Sequence, residues 1–181
     1  MNNIMIDIET MGHVPYSAIV SIAAVRFDIE NGAVGEEFFT VVDLKSCIDI
    51  GLVMTAETVM WWMPQSDEAR NHFVNAQMEH IESALVRLNY FIHNTDYVWG
   101  NSARFDLGIL SDAYRKANIS EPWDFRNERD VRTISALMPE VRGKMPFAGI
   151  KHNPVNDCKH QIMYVCEIYK RLMLNKLSNT F

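Results

Sequence analysis

The segment Asn3-Ile4-Met5-Ile6-Asp7-Ile8-Glu9-Thr10 limits the fold more than any other part of the chain. Side chains of a strand alternate between faces, so this one sends Ile4, Ile6 and Ile8 to one side and Met5, Asp7 and Glu9 to the other. The isoleucine row requires a packed layer against it. The two carboxylates on the opposite face repel each other, and in an apolar setting each raises the other's pKa. A folded chain accommodates them best with positive charge between them, and a divalent cation is the natural candidate.

Downstream, SAIVSIAAVRF and EEFFTVV read as second and third strands of an antiparallel meander, joined by a turn containing Asn31-Gly32. Thr55 reads as the cap of a helix running through Trp61-Trp62, and Met78, Ile81, Leu85, Leu88 and Ile92 have the spacing of an amphipathic helix. TDYVWG reads as a short strand. RFDLGILSDAYRKAN suits a helix with Ile109, Leu110, Ala113 and Tyr114 turned inward and Asp106 near its start. ERDVRT reads as a last strand and PEVRGKMPFAGIK as a loop. Asn153-Pro154 then supplies an N-cap and a proline at the first position of a helix reaching Leu174. This order predicts an α/β fold: a mixed central sheet of five or six strands flanked by helices, with ligands at the strand ends.

At 181 residues, 48% hydrophobic and 22% charged, residues 1–181 have the size and composition of a single domain. The start lacks a basic segment followed by an apolar one, and no run approaches the roughly 20 apolar residues of a membrane span. A soluble cytoplasmic protein with no membrane partner is expected. Cys47, Cys158 and Cys166 are odd in number and form no CxxC pair, which argues against a disulfide framework and a zinc-thiolate site. The net charge is −6, yet residues 104–159 hold 10 basic and 8 acidic side chains where residues 1–103 hold 4 and 14. So small a local excess means that a nucleic acid, if that is the ligand, must be gripped locally.

Four carboxylates recur at telling places: Asp7 and Glu9 on the first strand, Asp106 entering one helix, and Asp157 one turn into the last, with His152 five residues before it. Together, DIET, NSARFD and HNPVND resemble the three motifs of the DEDDh family of 3'-to-5' exonucleases. The likeness spans nearly the whole chain. It is greatest to small phage and prophage members, exodeoxyribonuclease VIII-like and exoribonuclease AS-like, in which MIDIETMG, a Trp-Trp pair and DVRT also occur. There are departures: Asn101 stands one residue further from Phe105-Asp106 than is usual, and Pro154 and Cys158 stand where alanine is common.

The resemblance implies a ribonuclease-H-like fold in which Asp7, Glu9, Asp106 and Asp157 hold two Mg²⁺ or Mn²⁺ ions roughly 3.5–4 Å apart. It assigns Asp7, Glu9 and Asp157 to one ion, a bridging role to Asp7, support of the second ion to Asp106, and the general base to His152. An imidazole with an ordinary pKa near ~6.5 suits that task. The substrate implied is a single-stranded DNA or RNA 3' end, cut to 5'-mononucleotides. Thr10, Met11 and Gly12 would meet the terminal nucleoside, with Trp61, Trp62 and Phe105 as further substrate contacts. A homodimer is permitted. The competing readings are a phosphodiesterase acting on short oligonucleotides or nucleotide caps, and a catalytically silent nucleic-acid-binding relative.

Taken singly, each residue has a plainer explanation. Asp7 and Glu9 fit a solvated strand end, Asp106 and Asp157 fit helix-start acids favoured by the macrodipole, and His152 fits an ordinary loop histidine. Neighbours on a helix point about 100° apart, so Trp61 and Trp62 cannot both enter one core. They fit either core plus wall or a base-stacking platform. The ordered set, not any member, points to catalysis.

Overall fold

The computed structural model describes residues 1–74, 76–93 and 97–178. At its centre is β1 (Asn3–Thr10), antiparallel to β2 (Ile19–Phe27) on one side and parallel to β5 (Tyr97–Gly100) on the other. Beyond β2 lie antiparallel β3 (Val34–Val42) and the two-residue β4 (Met78–Glu79), parallel to β3; β6 (Glu128–Asp130) runs parallel to β5. The sheet is therefore mixed and six-stranded, in the order β4-β3-β2-β1-β5-β6.

Helices cover both faces. The Ile4, Ile6 and Ile8 row packs under α4 (Ile81–Ile92) and α5 (Ala103–Ala117), in a cluster with Leu85, Leu88, Leu107, Leu110 and Tyr114. On the other face Met5, Ala23, Val25, Phe27 and Trp99 meet Cys158, Ile162 and Val165 of α8 (Pro154–Ser178). Each such buried aliphatic side chain contributes roughly 1.5–3 kcal/mol. A smaller cluster joins Val20, Val41, Phe73 of α3 (Asp67–Val74) and Trp62 of α2 (Ala56–Trp62). Cys47, in α1 (Leu44–Asp49) after β3, is buried, as are Cys158 and Cys166, and all three are free thiols. No helix among the described residues is long and apolar enough to cross a membrane.

The elements depart from the sequence pattern in several places. Met78 lies in β4 and is 50% exposed, outside the amphipathic helix, because His80 caps α4 through the Glu82 amide and starts it at Ile81. ERDVRT is strand only to Asp130: the Asp130 carboxylate accepts from the Thr133 amide and opens α6 (Val131–Ser135). Within the loop-like segment, Pro139 starts the short α7 (Pro139–Lys144), with Glu140 in its first turn and Arg142 and Lys144 in its last. Of TDYVWG, Tyr97–Gly100 form β5, and Thr95 and Asp96 lie outside the described residues. Thr55 stands at the N-cap of α2, but its hydroxyl bonds Thr58 Oγ1 at 3.0 Å rather than a backbone amide.

Candidate active site

Asp7 and Glu9 continue the Met5 row of β1 onto the face that α8 crosses. Asn153 Oδ1 accepts from the Asn156 amide at 3.3 Å, Pro154 opens α8, and Asp157 falls in the first turn. One oxygen each of Asp7, Glu9 and Asp157 lie within 4.8 Å of one another. Asp106 comes from the other helix layer and is 2% exposed. Its Oδ1 accepts from the Ile8 amide at 3.3 Å and its Oδ2 from the Asn101 amide at 2.6 Å, and its charge acts on Asp7. The start of α5 is fixed by Asp130, whose Oδ2 accepts from the Ala103 amide at 2.9 Å.

Burial raises Asp7 well above the usual carboxylate range, and the charges of Asp106, Glu9 and Asp157 add to it; the Gln161 hydrogen bond opposes them. Glu9 is raised by burial and then by Asp157 and Asp106. Burial pushes Asp106 up to about 7, against the pull of the Asn101 and Ile8 amides and the Arg132 charge. Asp157 is pushed up to about 6 by burial, against the His152 amide and the Lys151 charge. None of the four acids forms a salt bridge among the described residues. Crowded, poorly hydrated oxygen donors with no protein cation in contact fit hard divalent ions such as Mg²⁺ or Mn²⁺.

His152 sits on the loop before α8 with a left-handed backbone, φ 63°. Its imidazole meets the Trp61 ring edge-on, centroids 5.1 Å apart at 90°, and lies 6.2 Å from Trp62. Burial and the neighbouring Lys151 charge hold its pKa below the usual histidine range. Trp62 is buried and donates from Nε1 to the Thr10 carbonyl at 3.0 Å, while Trp61 is 45% exposed. Beside Glu9 opens a cavity of about 370 Å³, lined by Thr10, Gly12, His13, Trp61, Trp62 and Phe105 among others.

A family model described as the Rv2179c-like 3'-5' exoribonuclease domain matches residues 2–169. The chain belongs to this 3'-5' exonuclease family. It is 30% identical to an exodeoxyribonuclease of Enterobacteria phage T4, over 90% of this chain and 87% of that one. The fold is shared with the nuclease domain of 3'hExo, a DEDDh family member bound to rAMP (TM-score 0.65, 11% identity, 96% of this chain and 92% of that one). It is shared also with exonuclease X in complex with 5' overhanging duplex DNA (TM-score 0.58, 15% identity, 93% and 92%). In E. coli exonuclease I in complex with a dT13 oligonucleotide (TM-score 0.60, 19% identity), the match takes in 94% of this chain and 40% of that one.

In this exonuclease the structure gathers Asp7, Glu9 and Asp157, sets Asp106 near enough for its charge to raise Asp7, and brings Thr10, Gly12, Trp61, Trp62 and Phe105 to one cavity. Met11 does not line that cavity. It packs on the cluster of Val20, Val41, Trp62 and Phe73, because its backbone is tied on both sides, amide to the Ala18 carbonyl and carbonyl to the Thr55 amide. Gly12 has a packing reason of its own, since a Cβ there would collide with the Ser17 side chain. Of the motif departures, Asn101 supplies its amide to Asp106 and holds the Arg132 guanidinium, Nε to its Oδ1 at 3.4 Å and Nη2 to its carbonyl at 3.3 Å. Cys158 is a core thiol under Met5, its pKa raised by burial. Gln161 was not among the residues that the motifs pick out. Its Nε2 donates to Asp7 Oδ1 at 2.8 Å, and its Oε1 is buried without a partner among the described residues. Its place one helical turn after Asp157 is the signal that would have found it.

Proposed function

We propose that residues 1–181 form a single catalytic domain, a metal-dependent exonuclease that hydrolyses single-stranded nucleic acid from a free 3' end and releases 5'-mononucleotides. The observation that carries this reading is the convergence of Asp7, Glu9 and Asp157 within 4.8 Å beside a nucleoside-sized cavity, with no salt bridge to any of the three among the described residues. Two Mg²⁺ or Mn²⁺ ions, when bound, would acidify the attacking water and stabilise charge on the departing oxygen. Asp7, Glu9 and Asp157 would hold these ions, and Asp106 would support them through its grip on the Ile8 and Asn101 amides.

His152 is the general base. Its lowered pKa leaves the imidazole neutral near pH 7, free to take the proton from the attacking water at a ring nitrogen. The water oxygen bonds to phosphorus, the bond from phosphorus to the 3'-oxygen breaks, and that oxygen leaves with a proton as the 3'-hydroxyl of the shortened chain. Thr10, Gly12, Trp61, Trp62 and Phe105 enclose the terminal nucleoside, with Trp61 the exposed stacking surface. The acid set belongs to one chain, so the chemistry does not depend on a homodimer. Buried free thiols suit a reducing cytoplasm.

The family description speaks of RNA and the phage relative's name of DNA, so the test carries both sugars. End-labelled RNA and DNA oligomers of one sequence, with free or phosphorylated 3' ends, are digested with Mg²⁺ or Mn²⁺ beside a closed single-stranded circle. The reading requires stepwise mononucleotide release from free 3' ends only. Cutting of the circle, or equal rates on phosphorylated ends, would overturn it.

A further inference from the structure

Next to the nucleoside cavity lies a second one of about 520 Å³, between the 13–16 loop and α5. His13 and Phe105 line both and form the ridge between them. Cavities of several hundred Å³ take nucleotide-sized ligands. Its outer wall is braced: the Tyr16 amide donates to Asp112 Oδ2 at 2.9 Å, and Arg115 Nη1 donates to Asp112 Oδ1 at 2.7 Å. The acid on the lining is thereby engaged. Arg104, exposed on the first turn of α5, has no ion pair or hydrogen bond among the described residues and leaves the rim with an unspent positive charge.

Gly108 forms part of the lining. Glycine weakens a helix interior, and a Cβ at this position would meet only the Ala103 carbonyl, at 3.9 Å, so packing within the protein does not require glycine here. A bare patch of helix beside a free guanidinium suits a flat group lying on the backbone and a phosphate next to it.

We propose that this second cavity is a subsite for the nucleotide on the 5' side of the scissile phosphate, with that nucleotide over Gly108 and its own phosphate against Arg104. The inference rests on the exonuclease reading, in which a chain whose 3' end fills the first cavity has only its 5' side left to cross the ridge. It makes the enzyme favour chains over single-nucleotide esters, and so opposes the nucleotide-cap alternative.

The test compares thymidine 5'-p-nitrophenyl phosphate, whose nitrophenolate leaving group stands in the place of the 5'-side nucleoside but brings no second phosphate, with a longer oligothymidylate, both with Mn²⁺. Gly108→Leu fills the subsite and Arg104→Ala removes its cation. Each variant should lower kcat/KM on oligothymidylate about tenfold or more, and Arg104→Ala should leave hydrolysis of the nitrophenyl ester within about twofold. Arg104→Ala should also reduce the salt dependence by about one phosphate contact. Equal losses of Arg104→Ala on the two substrates, or no loss of either variant on the oligomer, would overturn the subsite. Fluorescence anisotropy of labelled oligothymidylate with Ca²⁺ reads binding apart from turnover, and Gly108→Leu must weaken it. An unchanged affinity counts against the subsite; weakened binding in an enzyme that hydrolyses neither substrate keeps the subsite and defeats the exonuclease reading.

Discussion

Asp106 and Asp157 both enter on the first turn of a helix, and their surroundings differ. Asp106 is buried with both oxygens taken by backbone amides, of Ile8 and Asn101. Asp157 is half-buried, lies with Asp7 and Glu9, and accepts from the His152 amide. One acid ties β1 to the turn after β5; the other faces its like charges with oxygens to spare. Identical chemistry at the same helical position thus divides into a tie and, on the proposed reading, a metal ligand, and the division lies in which backbone donors are within reach.

The largest expected effect tests the ligand side. Asp157→Asn or Asp7→Asn should lower turnover by about 10³-fold or more, the scale of several kcal/mol of lost charge stabilisation. Metal-free melting temperature should hold or rise, because one of several crowded charges is gone. Retained activity with a lower melting temperature in EDTA would reverse the assignment.

His152→Ala should cost roughly 10²–10⁴-fold in kcat while Mn²⁺ affinity, read by calorimetry, stays near that of the parent. Loss of Mn²⁺ binding would move His152 among the ligands. Gln161→Leu should weaken Mn²⁺ binding by about 10–100-fold, as losing a residue that orients a ligand does, with the fold intact by circular dichroism. Equal Mn²⁺ affinity in that variant would make the Gln161 to Asp7 bond incidental.

For the tie, Asp106→Ala orphans two amides, costing roughly 1–3 kcal/mol each, and a domain of this length loses about 2–4 °C per kcal/mol. The protonated share of Asp106, with its pKa near 7, already limits the repulsion that its removal could relieve. Metal-free Asp106→Ala should therefore melt several degrees lower where Asp157→Asn does not, by calorimetry in EDTA. A smaller effect is the pH slope. Folded-state values of about 7 for Asp106 and about 6 for Asp157 lie above the unfolded 3.8, so the folded chain binds more protons between them. The stability from these acids is complete below the unfolded value and is lost as pH rises through 6 and then 7. Melting in EDTA should fall across that window in the parent, and the part near 6 should be absent in Asp157→Asn.

Much of this was legible in the sequence because it depends on period. The alternation in β1 assigned each face, and the Asn153-Pro154 start set α8 and therefore Asp157. What escaped depended on partners distant in sequence. Nothing near Asp106 reveals that its second amide belongs to Ile8, ninety-eight positions away. Gln161 reads as an ordinary helical residue until β1 is laid across α8. Met11 stands two residues after Glu9, but with its backbone tied to Ala18 and Thr55 it packs on the cluster of Val20, Val41, Trp62 and Phe73. The short β6 and α6 read as one strand in the sequence because a capping aspartate and β-branched neighbours look alike in both.

The edge-on contact between Trp61 and His152 gives the molecule an optical readout of its own. Indole emission responds to the charge of a neighbouring ring, and an imidazolium at the ring edge perturbs it in a way a neutral imidazole does not. Trp62, Trp99 and Trp123 are buried, so light selected at the red edge reports mainly the exposed Trp61. Emission followed against pH would then trace the protonation of His152 without a label and without substrate, and His152→Ala would flatten the trace.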